Sequence, residues 1–125
     1  MNALDLARTA YAASGTPVRT GRSTEYELFA RITRRLREAG RQGMTLTPLL
    51  VHALHDNQRL WTTLAVDVAG EENGLPRDLR ARLFYLAQFT QTHTRRVLKG
   101  EAEAGVLVDI NTAVMRGLAA RDGQT

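Results

Sequence analysis

The chain has 125 residues, a length that fits one domain and hardly two, so we expect a single domain over residues 1–125. It has no cysteine, which excludes disulfides, iron–sulfur clusters, thiolate zinc sites and cysteine nucleophiles. With 17 basic and 13 acidic residues the net charge is +4, so an acidic partner is compatible with the composition but not demanded by it.

The first predicted helix runs from about Asn2 to Ala13, with Leu4, Ala7 and Tyr11 on one face. This terminus lacks the basic-then-apolar order of a signal peptide. No apolar run in the chain approaches the roughly 20 residues that a membrane span needs. We therefore expect a cytoplasmic protein that does not associate with membranes.

The second predicted helix begins at Thr24, because Glu27 follows three residues later as in a capping box. Residues 18–22, just before it, are expected to be irregular. Gly40 provides the stop signal. The apolar stripe of this helix comprises Leu28, Phe29, Ile32 and Leu36.

The third predicted helix opens with Thr47 as its cap and Pro48 in the first turn, and it ends at Gly70. Its stripe comprises Leu50, Ala53, Leu54, Asn57, Leu60, Trp61, Leu64 and Val68. Asn57 interrupts this stripe, which predicts a buried hydrogen bond that sets the helix register.

The fourth predicted helix runs from Pro76 to about Lys99, with Gly100 as its stop signal. Its stripe comprises Leu79, Leu83, Leu86, Thr90, His93 and Val97. A fifth helix is predicted from about Glu103 to Ala120, with Leu107, Ile110, Val114 and Leu118 aligned. The pattern indicates an all-α fold: a small bundle of four or five helices, with two long antiparallel helices at its centre.

Few residues suggest chemistry. His52 and His55 are one helical turn apart and could share a metal, but both point away from the apolar stripe and no third ligand is fixed by spacing. Two solvated histidines are the favoured interpretation. His93 falls within an apolar stripe, where a hydrogen-bonded histidine at the core edge is more common than a catalytic one. No catalytic or phosphate-binding motif is present, so we expect no enzyme activity, metal or cofactor.

The densest basic run lies on the second predicted helix, where five arginines spread over most of the polar arc. They are Arg31, Arg34, Arg35, Arg37 and Arg41. A solvated face, with arginine stems covering the core edge, is the favoured interpretation. Contact with RNA phosphates or with an acidic protein is the alternative.

The fourth predicted helix carries three aromatic residues partly outside its stripe: Phe84, Tyr85 and Phe89. Either this helix is buried on several sides, or it presents apolar surface to a partner. Phe84 lies about 150° from the centre of the stripe and is the best single candidate for a binding anchor. Met115, off the main stripe of the fifth helix, could extend the same surface.

Several blocks of the sequence together resemble the FlaF family, flagellar biosynthesis regulators of alphaproteobacteria. The blocks are Ala10-Tyr11, residues 16–20, residues 24–29 with the arginine-rich continuation, residues 57–61, residues 73–76 and residues 109–118. None of them is a catalytic motif, and their order and spacing carry the resemblance.

The resemblance implies a small cytoplasmic helical protein that promotes flagellin production after transcription, in opposition to a partner called FlbT. It also implies flagellin binding before export. Two functions follow from it: a flagellin-binding chaperone or adaptor, or an RNA-binding regulator that acts on flagellin mRNA through the arginine-rich helix. The sequence contains no recognised RNA-binding module, and no aromatic residue lies among the arginines of the run. Protein binding is therefore the favoured hypothesis. A pure scaffold or oligomeriser is a third hypothesis, and the sequence does not indicate the oligomeric state.

Overall fold

The computed structural model describes residues 21–123, with side chains from 26 to 117. The predicted first helix, residues 2–13, lies outside this part of the chain. The described residues form four α-helices and no strand, which confirms the all-α prediction. The helices are α1 (Gly21–Ala39), α2 (Pro48–Ala69), α3 (Arg77–Leu98) and α4 (Gly105–Gly123).

Two apolar clusters, one at each end of the bundle, show how the helices run. The first cluster contains Phe29, Trp61, Leu64, Val68, Leu75, Leu83 and Ala87. The second contains Leu36, Leu50, Ala53, Leu54, Val97, Ala102, Ala104, Leu107 and Val108. Each helix therefore passes from one cluster to the other and the next helix returns. Successive helices are antiparallel, as short connections require.

The predicted start of α1 is wrong. The helix already includes Gly21, so Thr24 lies inside it and is not the cap, and residues 21–22 are helical rather than irregular. The capping-box pattern is a local signal, and nothing between Gly21 and Thr24 stops a helix from continuing upstream, since no proline lies there.

The predicted ends of α2 are confirmed. The hydroxyl oxygen of Thr47 accepts a hydrogen bond from the amide of Leu50 at 3.1 Å, and Pro48 occupies the first turn. Gly70 caps the other end. The polar cap and the proline together define the residue at which α2 begins.

The turn between α2 and α3 is held by side chains that bind backbone. The Asn73 amide nitrogen donates to the Asp67 carboxylate at 2.9 Å, and its oxygen accepts from the Leu75 amide at 2.9 Å. Arg80 donates to the carbonyl oxygens of Val68 at 3.0 Å and Gly70 at 2.6 Å. These bonds satisfy carbonyls at the end of α2 and fix the start of α3 against it.

The turn between α3 and α4 uses a glycine and a histidine. Gly100 has a φ of +74°, a conformation that favours glycine. Nε2 of the buried His93 lies 2.8 Å from the carbonyl oxygen of Glu103. His93 is therefore a hydrogen-bonded histidine at the core edge, as its place in the stripe predicts, and it ties the turn to α3.

Trp61 is fully buried at the centre of the first cluster. Its ring meets Phe29 of α1 edge-on, with centroids 6.0 Å apart. Its indole nitrogen donates to the side-chain oxygen of Asn111 at 2.8 Å, and the Asn111 amide donates to Asn57 at 2.7 Å. The buried hydrogen bond predicted for Asn57 is therefore present.

We expect Trp61→Ala to lower the free energy of unfolding by about 3–5 kcal/mol, because it removes a large buried aromatic and leaves a cavity. Urea titration of the two proteins measures the difference. Trp61→Phe is the control, since it keeps most of the apolar volume and should lose less. A loss under about 1 kcal/mol for the alanine variant would contradict the central packing of this side chain.

Candidate functional site

An apolar groove opens along one side of the bundle, between α3 and α4. Its volume is about 400 Å³, within the range typical of ligand sites. Its walls are formed by Leu79, Leu83 and Leu86 from α3 and by Ala113, Val114 and Gly117 from α4. Phe29, Leu64 and Leu75 form its floor, and Arg82 also lines it. We call this feature the α3–α4 groove.

The groove exists because α3 and α4 pack against each other less than any other neighbouring pair. The α4 wall presents Ala113 and Gly117, one turn apart, which are too small to reach across to the leucines of α3. α4 is held instead by α1, with which it makes many more contacts. The side facing α3 is therefore left open above the first cluster.

One edge of the groove carries a polar and aromatic stripe. Arg82, Tyr85 and Phe89 stand at spacings of three and four residues, which places them on one face of α3. Tyr85 is 65% exposed and Phe89 is 39% exposed, and the Phe89 ring stacks on His93. We call Tyr85 and Phe89 the aromatic edge: they do not line the groove, but they lie on the flank of α3 that carries the groove residue Arg82.

Phe84 is 39% exposed but lies on the other flank of α3. At about 100° per residue, it points roughly 160° away from Arg82. Partial exposure of the three aromatic side chains agrees with a surface role, and their binding to a partner stays a prediction. The geometry divides them, since the aromatic edge lies on the flank of α3 that carries Arg82 and Phe84 lies on the opposite flank.

Met115 lies on α4 and is partly buried, packed against the first cluster. Val108, which is also off the predicted stripe, is buried in the second cluster. Both fill core space where α4 meets the rest of the bundle. The proposed partner contact of Met115 stays a prediction, and its packing makes it a support for α4 rather than an exposed anchor.

The arginine run lies on α1 and in the turn that follows it, which contains Arg41. All five side chains are exposed: Arg31, Arg34, Arg35, Arg37 and Arg41. Arg35 forms an ion pair with Asp56 of α2 at 3.4 Å. Both partners are well exposed, so solvent screening leaves the pair little stabilising effect. The run is a solvated basic face, and its contact with RNA or an acidic protein stays a prediction.

His52 and His55 are both exposed on α2. His55 borders a shallow depression together with Gln58, Arg59, Thr62 and Thr63. Within residues 21–123, no three histidine, aspartate or glutamate side chains come close enough to hold a metal ion. The two histidines thus face solvent, as their place on the helix wheel predicts.

The sequence model of flagellar protein FlaF matches residues 7–118. The chain belongs to the FlaF family. No curated protein and no solved structure matches the chain. The family gives this protein a role connected with the flagellum. None of the helices within residues 21–123 has the length and apolarity to cross a membrane.

The sequence analysis proposed a partner-binding surface around Phe84, Tyr85 and Phe89, extended by Met115 of the next helix, but it did not identify the residues that line the α3–α4 groove. The signal was present in α4, where Ala113 and Gly117 stand four residues apart next to Val114. A pair of small residues on one helix face permits either close packing or a gap. Which of the two occurs depends on the distance to α3, and no single helix encodes that distance.

We expect the untagged protein to purify without stoichiometric zinc, because His52 and His55 lack a third ligand among the described residues. Metal analysis by mass spectrometry and a melting temperature unchanged by a chelator would agree. One zinc per chain that is lost in a variant with both histidines changed to alanine would contradict this expectation.

Proposed function

We propose that this FlaF-family protein is a cytoplasmic flagellin-binding chaperone or adaptor. It holds flagellin before export, promotes flagellin production and opposes FlbT. The observation that carries the proposal is an open apolar groove with exposed aromatic side chains at its edge. Exposed apolar surface of this kind is typical of a site that binds a protein partner or a ligand.

The dimensions and chemistry of the groove support a helical partner. Helix-binding proteins bury the apolar face of an amphipathic helix in a groove between their own helices. The α3 wall of the groove extends from Leu79 to Leu86, about 10 Å along the axis, which corresponds to two turns of a bound helix. The ends of flagellins are expected to be amphipathic helices, so they have the chemistry that the groove requires.

Binding alone accounts for the proposed role, and we propose no enzymatic activity. The groove walls are apolar, and the described residues that line it include no histidine, acid or hydroxyl group. General acid–base or nucleophilic catalysis needs such groups within reach of a substrate. The surface is suited to shielding an apolar segment.

RNA binding through α1 is the second candidate, favoured by the five exposed arginines of the basic run. Phosphate contacts would give it affinity that depends steeply on salt. Residues 31–41 contain no aromatic side chain on which a base could stack. An acidic protein would satisfy this face equally well, so protein binding remains the first candidate.

We expect flagellin to co-purify with the isolated protein equally well with and without nuclease, because apolar contacts require no RNA bridge. Binding should also persist as salt is raised, since burial of apolar surface is not screened. Sub-micromolar, sequence-selective binding to the flagellin leader RNA at physiological salt, without flagellin binding, would reverse the ranking of the two candidates.

We expect the double variant Tyr85→Ala/Phe89→Ala to remain folded and to lose about 1–3 kcal/mol of flagellin binding, as for exposed aromatic anchors. Titration calorimetry measures the affinity and urea titration the stability. Phe84→Ala is the matched variant on the other flank of α3. Loss of binding in Phe84→Ala, with full binding in the double variant, would move the site to that flank as the sequence analysis first placed it.

A further inference from the structure

We infer that the flagellin helix lies in the α3–α4 groove with a carboxylate at the edge of its apolar stripe, and that Arg82 pairs with this carboxylate. The inference rests on the proposed function and adds to it the place of binding and the chemistry that selects the helix. Arg82 is the residue that would determine specificity, and the α3–α4 groove is the docking surface.

The first observation is the charge of the groove. Among the described residues that line it, Arg82 is the only charged side chain and none is acidic. A cation at the border of an otherwise apolar surface complements an anion at the border of an apolar stripe. The occupant indicated by this arrangement is an amphipathic helix with an aspartate or glutamate beside its apolar face.

The second observation is that the Arg82 side chain is not engaged by another side chain or carbonyl group of the described residues. Within residues 21–123 its side chain forms no hydrogen bond or ion pair, whereas Arg80 is bound to two carbonyl oxygens and Arg35 to Asp56. A planar guanidinium that is not already engaged can make two parallel hydrogen bonds to one carboxylate. The position of Arg82 next to the leucine wall shields such a pair in part from water.

The third observation is the space above Gly117. A β-carbon added at this position would meet no atom of the described residues within 4 Å, so there is space beside the α4 wall at Gly117. Phe29 and Leu64 lie beneath the groove as a continuous apolar base. A partner side chain of leucine or methionine size therefore has room to enter between the two helices.

The groove itself is tested by Gly117→Leu, which fills it from the α4 wall. Leucine favours helix more than glycine does and meets no atom at its β-carbon, so the variant should fold. We expect flagellin affinity to fall at least about tenfold, the scale of loss when a central contact is removed. Gly105→Leu is the control: Gly105 is also in α4 and open at its β-carbon, but it does not line the groove.

The carboxylate pairing is tested by Arg82→Glu, for which we expect an affinity loss of about tenfold or more because like charges then oppose each other. Arg95→Glu is the matched control, since it changes the net charge equally and lies on the other flank of α3, about 140° from Arg82. In both control variants we expect flagellin affinity within about twofold of the parent, as for residues outside the contact.

The outcomes separate the inference from the proposed function. Failure of the unaltered protein to bind flagellin would overturn both. Normal binding by folded Gly117→Leu and Arg82→Glu variants would overturn the inference and leave flagellin binding intact. If Gly117→Leu changes the oligomeric state while flagellin binding persists, the groove is covered by a second copy of the chain, which also overturns the inference.

Discussion

A buried chain of hydrogen bonds joins the two helices that stand diagonally across the bundle. The indole of Trp61 donates to Asn111, and Asn111 donates to Asn57. α2 and α4 make no close backbone contact, whereas every other pair but α1 and α3 does. These side chains therefore form a direct polar link between α2 and α4 through the core. Because amide groups bond only in one relative position, they fix the height and rotation of α4.

The link is specific rather than optimal for stability. Asn57 is fully buried, and its amide nitrogen has no hydrogen-bond partner within the described part of the chain. An unpaired buried donor is destabilising by about 1–3 kcal/mol, so an apolar pair at these positions would be expected to give a more stable core. What the polar pair provides is a single register. That register turns Ala113 and Gly117 toward α3 and leaves the groove open.

The position of α4 explains why it packs closely against α1 and only loosely against α3. α4 is held from one side by α1 and from the core by Asn111, so it does not need to close against α3. The first cluster, including the buried Phe29 and Leu64, then forms the base of the groove. An apolar base, small residues on one wall and leucines on the other form a surface that a helix can complete. Arg82 and the aromatic edge lie beside this surface, where they would face the more polar side of a bound helix.

Much of the fold could be predicted from the sequence, because the helices are amphipathic and their ends carry local signals. The Thr47 cap, the Pro48 start and the glycines that follow the helices are short-range features, and so is the burial of Trp61 within its stripe. Thr24 misled because a capping pattern does not by itself end the helix on its N-terminal side. The residues that line the groove could not be identified from the sequence, because the groove depends on the distance between α3 and α4. The position of α4 depends on hydrogen bonds from its Asn111 to Asn57 and Trp61 of α2, a helix that forms neither wall of the groove.

The central claim is that flagellin covers the α3–α4 groove, and nuclear magnetic resonance of methyl groups tests it most directly. Leu79, Leu83, Leu86 and Val114 line the groove, whereas Leu36, Leu50 and Leu54 lie in the second cluster at the other end of the bundle. The account predicts that addition of flagellin shifts the first set and leaves the second nearly unchanged. Shifts confined to α1 near the basic run, with the groove methyl groups unmoved, would contradict it.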